Sequence, residues 1–309
     1  LALRIPAWFT EDGKSKYTLF EPDEYQHVEI AIYQLQLLEK RLLADKDVHR
    51  FIYNSRAFGI QLGVVAYGLY KLGLVELTEQ NLVVLGRMLA TFYALLLIFL
   101  TFQITKALSG NKNTGLLAAL LIAIFDLNVT SSHYAIPAVA YVFWAYASVF
   151  WIYLYIFKKE RGIYFATALP ALGAALTFAL KYDFIPILVM GSALLWHFFK
   201  DAKTSGRSAL QMLSFFLFFV FFFQLITCFA FPFGDVKASF LELYEQNKNV
   251  VEGDRQWLHN PILYLFGLLG GTSLLVFLVF WPTLFQSLKP GTTDRWKEGI
   301  LFFLWFLFL

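Results

Sequence analysis

Leu82–Thr105 reads LVVLGRMLATFYALLLIFLTFQIT, a run in which Arg87 is the one formal charge. A helix needs roughly 20 predominantly apolar residues to cross the hydrocarbon core of a bilayer, and this run is long enough. Composition repeats the message across the whole chain. Of its 309 residues 59% are hydrophobic, 35 are Phe and only 15% are charged, more apolar material than a soluble core can use. Backbone polar groups in lipid must be satisfied internally, which leaves helix bundles or closed barrels, and the unbroken apolar runs exclude a barrel.

Further runs suited to spanning are Gly115–Val129, which is short, Pro137–Phe157, Gly162–Leu180, Phe184–Phe199, Ala209–Phe231, Pro261–Phe285 and one starting at Gly299. The connections between them alternate in charge. Lys106, Lys112, Lys158, Lys159, Arg161, Lys200, Lys203, Arg207, Lys289, Arg295 and Lys297 fall in one set of connections. The other set, 126–136, 181–183 and 232–260, holds four basic residues and seven acidic ones. Short cytoplasmic loops carry the excess of Lys and Arg, so the first set is cytoplasmic and the second faces outward. The expected fold is an all-α polytopic bundle. The chain starts at Leu1 and stops within the apolar run Ile300–Leu309, so it reads as an internal portion of a longer protein, with Leu1–Pro6 the last turn of a truncated first span.

Residues 1–80 form the expected first extracytoplasmic loop, and 81–309 the membrane bundle with its outer loop 232–260. Within the loop, Ala57–Leu74 is apolar enough to span, yet carries four glycines and Lys71. A spanning helix there would put Asp23 in the cytoplasm, whereas an interfacial helix leaves it outside. The interfacial reading is favoured, because Val28, Ile32, Leu35, Leu38 and Leu42 already make a helical stripe suited to lying on a membrane. Two such helices would build a platform at the outer face. The charge balance of the loop, nine basic against eleven acidic residues, does not decide the matter.

The chemistry-bearing residues cluster at the outward ends of these elements. Pro22-Asp23-Glu24 opens the amphipathic stripe, Arg87 lies near the start of the span 82–105, Ser132-His133-Tyr134-Ala135 precedes another span, and Lys181-Tyr182 ends one. Taken singly each has a plain structural explanation. Carboxylates cap helix starts, cations anchor span ends, and His133 and His259 fit ordinary loop residues. In order and spacing, however, they resemble membrane glycosyltransferases of the GT-C fold, in particular the protein O-mannosyltransferase relatives that include the lipid A aminoarabinose transferase. His259-Asn260-Pro261 is similar to a His and Pro at the end of a late outer loop in that group. The likeness runs from about residue 20 to residue 270.

The resemblance implies transfer of a sugar from a polyprenyl-phosphate donor to an acceptor hydroxyl on a lipid, glycan or protein, with inversion. A donor on such a carrier cannot leave the bilayer, so its catalyst must meet it at the headgroup level. The attacking hydroxyl needs a base, and Asp23, beside Glu24, is the candidate. The departing phosphate develops negative charge that Arg87 and Lys181 could stabilise. His133, His259 and Asp126 are candidate substrate-binding residues. Two positions depart from the family pattern. The second acidic residue expected after Pro137 is Ala138, with Asp126 on the same outer loop as a candidate replacement. The acidic residue and lysine with which the aminoarabinose transferase holds a metal have no match at Tyr53-Asn54-Ser55, so no metal ligand is assigned and a divalent cation stays open.

Other classes fit less well. A flippase or transporter of a lipid-linked sugar would place ionisable residues near the midplane and show internal repeats, and the spans are nearly free of charge with no repeat visible. A non-catalytic scaffold with the same fold remains the third reading, favoured by Ala138. Basic residues scattered through short loops make no stripe for nucleic acid. Cys228 is the single cysteine, which excludes a disulfide framework. Asn128-Val129-Thr130 fits the N-glycosylation pattern on an outer loop.

Overall fold

The computed structural model describes residues 22–39, 57–157, 167–181 and 205–228. Among these residues it holds eight α-helices and no strand: α1 Pro22–Leu38, α2 Ala57–Lys71, α3 Glu79–Ser109, α4 Lys112–Ile124, α5 Asp126–Ser131, α6 Ala138–Phe157, α7 Ala168–Lys181 and α8 Ser205–Cys228. Two of them, α3 and α6, are long and apolar enough to cross a membrane. The expected segments Phe184–Phe199, Pro261–Phe285 and the run from Gly299 lie outside the described residues, as do His259 and the loop 232–260.

The central element is α3, and its ends are set by local chemistry. Thr78, extended at φ −115° and ψ 156°, caps the start, its side chain accepting from the Asn81 amide at 3.2 Å. Gly110 ends the helix at φ 69°, a left-handed conformation that glycine adopts without a Cβ penalty, and its N–H bonds the Lys106 carbonyl. At 1.5 Å per residue the 31 residues of α3 extend about 46 Å, against about 30 Å for the 20 residues of α6. The two run in the same direction. Ala90, Tyr93 and Ala94 pack with Val139, Ala140 and Tyr141 near the start of α6, while Leu100 and Ile104 pack with Ala147 further along. The first third of α3 therefore projects beyond the start of α6.

Helices α1 and α2 cover that projection. Val28, Ala31, Ile32 and Leu35 of α1 form one buried cluster with Leu62 and Ala66 of α2 and with Leu82, Val83 and Leu85 of α3. α1 and α2 run side by side in the same sense, since Gly59 faces Ile30, Gly63 faces Gln34 and Lys71 pairs with Glu39. The glycines permit this approach. A Cβ on Gly59 would sit 2.6 Å from Ile30 Cβ, and one on Gly63 would collide with Gln34 Oε1. A turn at Gly73, with φ 70°, then returns the chain antiparallel into α3. The stripe expected from Val28, Ile32 and Leu35 is thus buried against other helices, with Leu38 half exposed at its end. Glycines on the facing helix give that stripe a protein partner.

Gly115–Val129 differs from its expected form as a single short segment. Phe125 adopts an extended conformation, φ −63° and ψ 122°, and divides it into α4 and α5. Asn128 Nδ2 reaches back to the Ile122 carbonyl at 2.8 Å, tying the short helix to the end of the longer one. On the other side of the bundle, α7 packs between α6 and α8. Phe178 and Phe215 are buried with Val149 and Ile152, while Leu213, Leu217, Phe221 and Leu225 of α8 point outward. So large an apolar surface suits contact with lipid.

Candidate functional site

Glu24 and Arg87, 63 residues apart in sequence, meet at the junction of α1 and α3. Arg87 donates from Nε to Glu24 Oε1 at 3.0 Å and from Nη2 to Oε2 at 2.9 Å, a bidentate pair. The carboxylate also accepts from the backbone N–H of Ala135 at 2.6 Å. Glu24 is 0% exposed and Arg87 1%, so both charges are withdrawn from water and compensated by each other. Such a pair costs much desolvation to form, and its removal from one side leaves an isolated buried charge.

The geometry follows from small residues around it. Ala135 is fully buried against Gly86, where an added Cβ would sit 2.6 Å from that of Ala135. That close approach sets the 132–135 turn directly on α3 beside Arg87. A second tie holds the same turn, since Thr91 Oγ1 donates to the Ser132 carbonyl at 2.9 Å. Ser132 Oγ in turn donates to Val129 O at 2.7 Å. His133 and Tyr134 are left half-buried on a turn clamped at both ends. Thr91, Gly86 and the Ala135 amide escaped the sequence reading, because a backbone donor and a glycine bear no chemical label of their own.

The remaining candidates fall as follows. Asp23 occupies the first turn of α1, immediately before Glu24, and Lys181 ends α7. Asp126 begins α5, the helix that leads into the clamped turn, and Ala138 begins α6. The side chains of Asp23, Asp126 and Lys181 lie outside the described ones. Leu180, next to Lys181, is buried in the same cluster as Phe58 of α2 and Tyr93 of α3, which brings the end of α7 to the junction of the other helices. Among the described residues no three His, Cys, Asp or Glu side chains gather as a metal site. Asn128 is buried with its amide nitrogen bonded to Ile122 O, so the N-glycosylation pattern at 128–130 is closed to modification in the folded chain.

One turn after Glu24, His27 is buried edge-on to Phe58, with ring centroids 5.5 Å apart and no hydrogen-bond partner for Nδ1. Burial pushes its pKa from 6.5 down to about 4. The unfolded chain takes up this proton from about pH 6.5 downward while the folded one resists, so stability present above pH 6.5 is lost as pH falls toward 4. Two and a half units correspond to about 3 kcal/mol. The variant His27→Leu is expected to flatten this acid limb, which thermal unfolding in detergent at pH 7 and pH 4.5 would measure. An unchanged acid limb would show that His27 does not carry it.

The sequence profile of the dolichyl-phosphate-mannose-protein mannosyltransferase family matches residues 56–240, more than half of the chain. The match includes Arg87, the 132–135 turn and Lys181, while Asp23 and Glu24 lie before it and His259 after it. No curated protein and no solved structure matches the chain significantly. An all-helical chain with two long apolar helices, matched over its central half by this profile, belongs to the dolichyl-phosphate-mannose-protein mannosyltransferase family of membrane-integral GT-C glycosyltransferases.

Proposed function

We propose that this glycosyltransferase moves a sugar from a polyprenyl-phosphate donor to an acceptor hydroxyl at the extracytoplasmic face of the membrane. The observation that carries the reading is the buried Glu24–Arg87 pair with its third bond to Ala135. It fastens the first turn of α1, and with it the backbone of Asp23, to α3 and to the turn bearing His133. Asp23 is then the base, and Glu24 and Arg87 are positioning residues paired in the buried clamp. Lys181, at the end of α7, supplies the cation for the donor phosphate.

The step balances simply. The acceptor oxygen attacks the anomeric carbon as its proton passes to the Asp23 carboxylate. The bond from that carbon to the phosphate oxygen breaks, and its electron pair leaves with the polyprenyl phosphate. Cationic groups near the leaving oxygens lower the barrier most where water is scarce. By family resemblance the displacement is single and inverts the anomeric centre.

Orientation rests on charge. Lys106 and Lys112 bracket the α3–α4 turn, at the opposite end of α3 from Arg87, and a basic turn of this kind belongs in the cytoplasm. The projection of α3 beyond α6, covered by α1 and α2, supports an extracytoplasmic platform for residues 22–78. With purified full-length chain, transfer of radiolabelled mannose from dolichyl-phosphate-mannose to a peptide or glycan hydroxyl is the expected result. In proteoliposomes, donor uptake without product would indicate a transporter, and neither activity a scaffold.

A further inference from the structure

We propose that Gln61 donates a hydrogen bond to the headgroup of the lipid-linked sugar and is oriented for this by Tyr93 and Trp144; the inference rests on the donor class proposed above. Trp144 Nε1 donates to the Tyr93 hydroxyl at 3.3 Å, and that hydroxyl donates to Gln61 Oε1 at 2.7 Å. This short chain joins α6, α3 and α2. The phenol's proton is committed to Gln61, so the glutamine amide presents its oxygen to Tyr93 and its NH2 group elsewhere.

That NH2 group takes no hydrogen bond among the described residues, and it is not one of the sealed polar atoms of the core. Gln61 is half-buried, and its partner Tyr93 belongs to a buried cluster with Phe58, Ala94 and Leu97. Held at one end by Tyr93, the amide presents its donors at a fixed angle, with little ordering cost left on meeting an acceptor.

The location matches the site. Leu62, next in sequence to Gln61, lies against Gly86, the neighbour of Arg87, and Phe58, one turn earlier, shares a cluster with Leu180, the neighbour of Lys181. The residues flanking Gln61 thus contact elements beside the buried ion pair and beside Lys181. Two N–H donors fit acceptor oxygens, which the headgroup offers both on its phosphate and on its sugar hydroxyls.

Binding of dolichyl phosphate and of dolichyl-phosphate-mannose to the full chain in nanodiscs tests the inference, alongside the thermal midpoint of each variant. A lost bond to a charged acceptor corresponds to a weakening of roughly ten-fold or more. Gln61→Leu is expected to weaken both lipids by that factor if the contact is to phosphate, and only the mannosylated one if it is to sugar. Tyr93→Phe, which frees the amide to rotate, should cost a few-fold with the same lipid preference. If Gln61→Leu does not accumulate, Gln61→Met carries the test, because it keeps the length of the side chain while removing the donors without adding a charge. Unchanged binding of both lipids together with a lowered thermal midpoint would reduce the chain to an interhelical fastening and overturn the inference. A wild-type chain that binds neither lipid would overturn the donor class itself, and this inference with it, whereas a defect confined to the variants leaves that class standing.

Discussion

Asp23→Asn is expected to lower sugar transfer by about 10²–10⁴-fold, the usual contribution of a positioned general base. The amide keeps the size of the carboxylate, so the helix start is expected to be retained. The Glu24–Arg87–Ala135 contacts do not involve the side chain of Asp23 and should survive. The diagnostic pattern is thus a fall in turnover with unchanged donor binding and an unchanged thermal midpoint. Turnover equal to wild type would remove Asp23 from the mechanism. A loss of turnover accompanied by loss of folding would instead assign it a capping role.

Arg87→Met is expected to have the largest effect on stability. It strands Glu24, which is 0% exposed, without its cation, and breaking a buried pair from one side costs about 3–5 kcal/mol. The Ala135 amide alone cannot offset a full charge in that position. The second substitution separates charge from geometry. In the double variant Glu24→Gln with Arg87→Met both charges of the pair are removed, and most of the lost stability should return, as the coupling of neighbouring residues requires. Activity should not return with it, because the bidentate clamp that aligns α1 with α3 is gone. If Arg87 served chiefly to bind the donor phosphate, Arg87→Met would weaken donor binding while leaving the thermal midpoint in place. Thermal unfolding and donor binding, measured on the same preparations, distinguish the two roles.

Much of the candidate site was legible from residue types. A carboxylate pair after a proline and a lone arginine near the start of an apolar run stand out in a chain with so few charges. Their mutual distance was not. Glu24 and Arg87 look equally well suited to substrate, one as base and one as phosphate ligand, until the packing of α1 on α3 makes them partners. The role of the 132–135 turn was hidden for a similar reason. Its effective group is the Ala135 amide, which any residue but proline would supply at that position, and only the buried contact with Gly86 places it at the carboxylate.

Gln61 illustrates the same boundary from the other side. In sequence it is one polar residue in an apolar helix, without motif or spacing to mark it. Its meaning comes from a phenol on α3 and an indole on α6, which take up one end of its amide and thereby aim the other.

Membrane class and helical architecture were legible in the sequence alone, because they depend on the length of apolar runs, and the proposed orientation likewise rests on the placement of charge in the short turns between them. Those are one-dimensional properties, enforced by the cost of leaving backbone groups unpaired in lipid. Which charges pair, which stripe is buried by protein and which polar atoms keep a donor to offer were decided only in the tertiary structure. Burial and a 3 Å hydrogen-bond distance are relations between residues that the chain brings together across 63 positions for Glu24 and Arg87 and 111 for Glu24 and Ala135.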